Sequence, residues 1–235
     1  AQVASVRTGE RAIEEVCDEY GVDTVKAFAE AWMDYGDRMM RDEIASLPDK
    51  TIEHTSHHDP IPDAAPDGVP VTVKIDIQPD AERIVVDLTD NMDNIPAGFN
   101  LSEATTIGAV YGGIFNNLAS TIPHNQGSID RIEIEMAEGK IVGKPKFPVG
   151  TSLATTNVAD ALQNATQAAF GQLGPPYGMA EAASGMPIVV SNIRSNDSTG
   201  WPERGESQSG QRRSWSAMIA SIRSGARSSA SATGV

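Results

Sequence analysis

A chain of 235 residues with 40% hydrophobic side chains is long enough to bury one sizeable core, and its formal charge of −14 repels phosphate, which argues against a general nucleic-acid or membrane-surface binder. No run has the length and purity of a membrane span and no apolar signal core opens the chain, so the reading is of a cytoplasmic protein. Cys17 is the only cysteine, which excludes an internal disulfide or a multi-cysteine zinc site and leaves a mild preference for a reducing compartment.

Thr8 can cap a first helix over roughly Gly9–Glu19, with Ile13, Val16 and Cys17 on its apolar side and Cys17 as a buried bystander. Gly21 breaks it. From Asp23, a second cap candidate, Val25, Phe28, Trp32, Tyr35, Met39, Ile44 and Leu47 follow helical spacing. That spacing predicts a second helix with this stripe as core, ended by Pro48. An extended segment over 51–59 then carries His54, His57, His58 and Asp59, all of them side chains that metals use. In a strand His54 and His58 share a face while His57 points the other way, so a polar strand end or subunit contact outweighs a local metal site.

Val69, Val71, Val73, Ile75 and Ile77 alternate with polar residues and predict a half-buried strand, in which Pro70 marks a start or an edge. Pro79–Glu82 turns the chain, and Ile84, Val86 and Leu88 return on one face as the second arm of a β-hairpin. The hairpin delivers Asp87 and Thr89 into a polar loop running to Asn100. There Asp90, Asn91, Asp93 and Asn94 can bind a cation, cap the next helix or make Asx turns, with turns and caps the leading reading. The order is not that of an EF-hand, which needs a glycine and a terminal glutamate this loop lacks.

Ser102 opens a helix over Glu103–Leu118, where Gly108, Gly112 and Gly113 lower helicity and imply close approach of another backbone. The run Ile122-Pro-His-Asn-Gln-Gly-Ser128 is a compact turn from which His124 and Asn125 can reach a ligand, although a hydrogen-bonded structural histidine is the weightier reading. Ile129, Ile132, Ile134 and Met136 predict another strand, disrupted near Asp130–Arg131. Lys144, Lys146 and the prolines around Phe147 form a rigid connector. Thr155-Thr-Asn157 can start a helix through Ala161, Leu162, Ala165 and Phe170 whose small side chains allow close packing, and Gly171–Gly178 ends it.

After Pro187, residues 188–191 have the character of one more strand. Beyond them Ser, Arg and Gly dominate, Trp201 and Trp215 are isolated, and a disordered or partner-wrapped tail is expected. The expected fold is α/β (mixed α+β): an N-terminal helix pair, a β-hairpin, Gly/Ala-rich interior helices and a Ser/Arg-rich tail. The corresponding division is a domain over 1–190 and a tail over 191–235.

Five runs in order, Asp93–Thr106, Ile122–Ser128, Lys144–Pro148, Ser152–Asp160 and Gly174–Glu181, resemble the hydantoinase B/oxoprolinase family. The opening Gly9-Glu-Arg11 and Leu47-Pro-Asp49 fit it too, so the resemblance covers roughly Gly9 to Pro187. It implies a component of an ATP-dependent cyclic-amide hydrolase of hydantoinase or 5-oxoprolinase type, working in a hetero-oligomer with a hydantoinase A-like ATP-binding subunit on a small-molecule substrate. The alternatives are a component of a biotin-independent ketone carboxylase, or a non-catalytic structural or assembly module. In the family's chemistry ATP phosphorylates an amide or enolate oxygen, and charge on the transferring group requires cations and positioned donors. Nothing in this chain resembles a Walker A loop, so the nucleotide site is expected on the partner.

ATP/Mg and a divalent metal are expected in the complete complex, with none assigned to this segment alone. The family's histidine and aspartate metal constellation lies ahead of the helix pair, so it is not carried over to His54, His57 or His58. With no initiator methionine either, the chain is expected to be a processed product, a fragment or an incomplete subunit, inactive alone and completed by the missing N-terminal hydantoinase B-like portion. The resemblance implies a substrate-side cavity wall or interface at Asp90, Asn91, Asp93, Asn94 and Asn100, with His124 and Asn125 as secondary candidates. No residue takes the role of nucleophile or general base.

Overall fold

A computed structural model describes residues 2–153 and 156–178, all within Ala1–Gly185, the first of two compact units into which the chain divides. Its elements in chain order are α1 (Gln2–Tyr20), α2 (Val22–Ser46), β1 (Lys50–His58), β2 (Val69–Gln78), β3 (Arg83–Asp87), α3 (Glu103–Phe115), α4 (Gln126–Ile129), β4 (Ile132–Glu135) and α5 (Val158–Phe170). The class is mixed α/β. The strands form one sheet in the order β1-β2-β3-β4, antiparallel except for the last pair, where β4 runs parallel to β3.

Alternation in the strands decides which side of this sheet is covered. Val69, Val71, Val73, Ile75 and Ile77 are fully buried, as are Ile84 and Val86 of β3, and Ile52 and Ile132 extend the same layer from the edge strands. α5 lies against β1 and β2, with Leu162, Ala165, Ala169 and Phe170 wholly enclosed. The opposite face is polar: Thr51 donates to Asp76, Thr55 and Thr72 share a hydrogen bond, and Arg83 bridges to Glu133. A single clothed face is the usual economy of an antiparallel hairpin sheet.

α3 packs across α5 at close range. A Cβ added to Gly113 would stand 2.4 Å from Thr166 Cβ and 3.1 Å from the Gln163 carbonyl, and Gly112 meets the Gln163 side chain, whereas Gly108 has nothing within 4 Å. The Thr166 side chain first, and the Gln163 carbonyl behind it, account for Gly113, the Gln163 side chain accounts for Gly112, and neither kind of contact accounts for Gly108. Ser102 caps α3 as expected, its Oγ accepting from the Thr105 amide, and the helix stops at Phe115, short of Leu118.

The second α-helix contact is tighter still. A Cβ on Gly127 of α4 would fall 1.9 Å from the Met33 carbonyl, and one on Gly36 of α2 would meet Asn125 Oδ1 at 2.2 Å. Asn125 Nδ2 donates to the Trp32 carbonyl at 2.7 Å, and Arg131 Nε reaches Asp37 Oδ1 at 2.6 Å. Arg41, one turn on, grips both carboxylate oxygens of Glu82 at the β2–β3 turn, where Glu82 takes a left-handed φ of 52°.

Several expectations are corrected here. α1 starts at Gln2, and Thr8 lies inside it, its hydroxyl donating to the Ala4 carbonyl instead of capping. Gly21, not Asp23, occupies the cap position of α2. The α2 stripe is core only in its last third: Met40, Ile44 and Leu47 are buried, Val25 and Met39 are partly covered, and Phe28, Trp32 and Tyr35 are 67%, 46% and 38% exposed. No residue of α1 is buried, Ile13 and Val16 included, and Cys17 is only partly covered. The periodicity is real, but where α4 meets α2 it contacts the Trp32 and Met33 carbonyls, Gly36 and Asp37, and leaves the aromatic stripe uncovered. Ile129 closes α4 and does not join β4, because Asn125 and Ser128 form a reciprocal capping box that curls the backbone into a helical turn. Thr155, the strand expected over 188–191, and the 191–235 tail with Trp201 and Trp215 lie outside the described residues.

Candidate functional site

The loop from Asp87 to Leu101 owes its shape to three asparagine side chains. Asn91 is buried and sits where β3 would have continued beside β2: its Oδ1 accepts from the Thr72 amide at 2.9 Å, and its Nδ2 donates to the carbonyls of Thr72 at 2.8 Å and Leu88 at 3.0 Å. A side-chain amide thus replaces one rung of the ladder. By the same alternation Pro70 faces this unoccupied side of β2, near the strand start, and its missing N–H deprives no partner.

Asn94 and Asn100 tie the loop to residues 139–153. Asn94 Nδ2 donates to the Lys140 carbonyl at 2.6 Å, while its Oδ1 accepts from the Lys146 amide at 2.9 Å. Asn100 is fully buried; its Oδ1 accepts from the Ile95 amide, and its Nδ2 donates to the carbonyls of Ile95, Ala97 and Gly150 at 2.8–3.0 Å. Backbone bonds from Leu101 to Ile141 and from Ile141 to Met92 complete the knot. Both polar atoms of the Asn100 amide are engaged by backbone.

The carboxylates behave differently. Asp87 Oδ1 accepts from the Thr89 hydroxyl at 2.6 Å and the Thr89 amide at 2.8 Å, and these bonds hold its carboxyl below the usual carboxylate range. Asp93 pairs with Lys140 Nζ at 2.9 Å yet keeps its side chain 87% exposed, and Asp90, three residues earlier, is exposed too. Phe99, later in the loop, is buried, with the His58 ring edge-on at 5.5 Å. His54 and His58 share one face of β1 and His57 is on the other. Among the described residues no three His, Cys, Asp or Glu side chains gather to hold a metal.

His124 and Asn125 are elsewhere. The exposed His124 ring lies 4.2 Å from the Phe115 ring at the far end of α3, and Asn125 spends its side chain capping α4 and holding the Trp32 carbonyl. With the polar loop at the N-terminus of α3, the helix itself separates the two groups by about 20 Å. The sequence-nominated residues therefore form two clusters, not one.

Sequence reasoning missed a cleft of about 320 Å³ between α2 and α4, lined by Met33, Asp34, Asp37, Gln126, Gly127, Asp130 and Arg131. Arg131 is committed to Asp37 and Gln126 Nε2 to Asp130 Oδ1. Burial, with Asp130 nearby, pushes the Tyr111 phenol above its ordinary value. The only available signal was Gly127 within a run otherwise read as a turn. Chemically the cleft is a polar, ion-paired notch, and the rim of Asp90 and Asp93 is an acidic edge on a rigid loop. Both can position or bind polar groups.

Comparison with known proteins places this geometry. The family model for hydantoinase B/oxoprolinase matches residues 1–234. The chain is 28% identical over 206 residues to the putative B-type subunit of a D-/L-hydantoinase from Pseudomonas sp. (strain NS671), spanning 84% of this chain and 34% of that protein. It is 24% identical over 205 residues to the beta-type subunit of the caprolactamase of Pseudomonas jessenii, with the same coverages. Among solved structures, the ATP-dependent caprolactamase of Pseudomonas jessenii superposes with a TM-score of 0.66 at 23% identity, over 75% of this chain and 30% of that one. A nucleotide-free acetone carboxylase superposes with a TM-score of 0.60 at 15% identity, over 69% and 22%. The two superpositions show a shared fold, and the chain spans about a third of the length of the curated relatives it matches. No helix among the described residues is long and apolar enough to cross a membrane.

Proposed function

The chain belongs to the hydantoinase B/oxoprolinase family, and on that premise we propose that it is one component of an ATP-dependent cyclic-amide hydrolase, acting with a hydantoinase A-like ATP-binding subunit. The observation that carries this reading is the pair of curated relatives, both called subunits and both named for cyclic-amide enzymes, a hydantoinase and a caprolactamase. Acetone carboxylase is similar at the level of fold alone, which ranks the ketone carboxylase reading second.

In this proposal the chain supplies shape and the neighbouring polypeptide supplies nucleotide and metal. Among the described residues no three His, Cys, Asp or Glu side chains gather to hold a metal, and in this reading the divalent ion is held elsewhere in the complex. ATP/Mg in the assembled enzyme would convert an amide oxygen into a phosphorylated leaving group, and the donors for that charge come from the partner. The loop knotted by Asn94 and Asn100 forms a stiff wall whose outward carboxylates, Asp90 and Asp93, face substrate or subunit.

The test is co-expression with the polypeptides encoded beside it, followed by phosphate release with hydantoins, 5-oxoproline and lactams, and with acetone plus bicarbonate. Stimulation by a cyclic amide is the expected result. Stimulation by ketone and bicarbonate alone would transfer the chain to the carboxylases. An assembled complex that no substrate stimulates would leave it a non-catalytic module.

A further inference from the structure

The apolar positions of the first two helices are spaced by strict alternation of three and four. In α2 the series is Val25, Phe28, Trp32, Tyr35 and Met39; in α1 it is Val6, Ile13, Val16 and Tyr20, with Gly9 at the remaining position of the repeat. Alternation of that kind is the signature of a seam that another helix fills with knobs and holes. Between the partly covered Val25 and Met39 the α2 seam is bare, with Phe28 at 67% exposure, and in α1 Ile13 is 64% and Val6 72% exposed. In α2 the rings are already ordered: Phe28 and Trp32 stack at 6.4 Å, Trp32 and Tyr35 at 5.6 Å, and the Arg38 guanidinium lies 6.0 Å over Tyr35. The backbone beneath is pinned, since Asn125 holds the Trp32 carbonyl and Gly127 abuts that of Met33. Rigid aromatics on an anchored helix lose little freedom when covered, which is the property of binding anchors.

Charge selects among the possible occupants. α1 carries five carboxylates against two arginines, and the Val22–Tyr35 part of α2 three against one lysine. Glu10 and Glu19 directly border the α1 seam. A second copy would bring acid to acid, which like-charge juxtaposition disfavours. A stripe of about two heptads is also too short for a free-standing coiled coil and suits one layer of a larger helical packing. The relatives contain roughly twice as much further polypeptide as the part this chain spans.

Resting on the reading that this chain is one portion of a B-type subunit, we infer that the α1–α2 arm docks a helical stripe bordered by Lys and Arg in the remainder of the family-length subunit. Two probes test it against the whole 235-residue chain. One is a labelled two-to-three-heptad peptide with apolar seam positions and either Lys or Glu at the bordering positions. The other is the unmatched two-thirds of the Pseudomonas hydantoinase relative.

The expected result is a monomeric chain in sedimentation that binds the Lys-bordered peptide in preference to the Glu-bordered and scrambled Lys-rich ones, and that is retained by the relative's fragment. Phe28→Ser/Trp32→Ser should weaken both by about thirtyfold or more, the scale of losing central aromatic anchors, with unchanged helicity because both side chains are exposed. Equal binding of acidic and basic peptides, indifference to the double variant, failure of the fragment to bind, or a self-associated chain that the double variant dissociates would each overturn the inference. The readout is separate from turnover: an assembly that forms through this arm yet shows no substrate-stimulated ATP hydrolysis refutes the proposed function and leaves the docking intact.

Discussion

The Asn91 side chain and the Thr72 backbone are joined by two hydrogen bonds, amide N–H to Oδ1 at 2.9 Å and Nδ2 to carbonyl at 2.8 Å, with a third bond from Nδ2 to Leu88. The site is buried, so truncation strands backbone groups that no other partner serves. Asn91→Ala should cost about 2–4 kcal/mol, from unfilled donors and acceptors at roughly 1–3 kcal/mol each. Asn91→Asp presents a carboxylate to two carbonyls and should be at least as damaging at neutral pH, recovering in part when protonated. Urea unfolding at pH 7 and pH 4.5 distinguishes the two; an alanine variant within experimental error of the parent would refute the clamp.

Gly127 and the Met33 carbonyl leave no room for a methyl group, since a Cβ would sit 1.9 Å from the oxygen. Gly127→Ala should therefore destabilise by about 1–3 kcal/mol or more, typical of forced overpacking. Hydrogen exchange should show the effect first in the α2–α4 contact, with faster exchange around Trp32 to Asp37 than in β2.

Within α3 two glycines should respond with opposite sign. Gly108 faces open space, so Gly108→Ala should stabilise by about 0.5–1 kcal/mol through helix propensity. Gly113 is pressed against Thr166, and Gly113→Ala should destabilise despite the same gain in propensity. Paired thermal melts of the two variants check it.

Acid sensitivity follows from two hydrogen-bonded aspartates. Bonds from the Thr89 side chain, then its backbone, lower Asp87, and bonds from Gln78, then Thr51, lower Asp76. Both folded-state values lie below the unfolded value of about 3.9. Their stabilisation is therefore complete above pH 4 or so and disappears as pH falls through the folded values. Thr89→Val removes the hydroxyl donor, returns Asp87 toward its ordinary value, and should lower neutral-pH stability while flattening its decline below pH 4. Denaturation midpoints across pH 2–7 provide the measurement, and parallel curves for parent and variant would contradict it.

Much of the architecture is legible because strands announce themselves locally. The Val69–Ile77 alternation, the hairpin turn and the Ser102 cap each depend on a few neighbouring residues, and each takes the expected form. The failures share a different cause. Phe28, Trp32 and Tyr35 have core periodicity, but burial depends on what lies opposite, and spacing within one helix carries no information about that. Ile129 reads as strand from its apolar character alone, whereas the Asn125–Ser128 capping box decides its conformation. The polar loop is recognisable as a special segment. That Asn91, Asn94 and Asn100 spend their amides on distant backbone, at Thr72, Lys140 and Gly150, requires the tertiary pairing itself.

The placement of α5 has a bearing on how the protein is made. The apolar side of β2 is complete once Gln78 has been joined, yet the helix that shields it ends at Phe170, about ninety residues later. At ordinary elongation rates that gap leaves an oily ribbon uncovered on the ribosome for roughly five to twenty seconds. The nascent chain should be a client of holding chaperones over that interval, and slower translation across residues 80–157 should raise the share lost to aggregation.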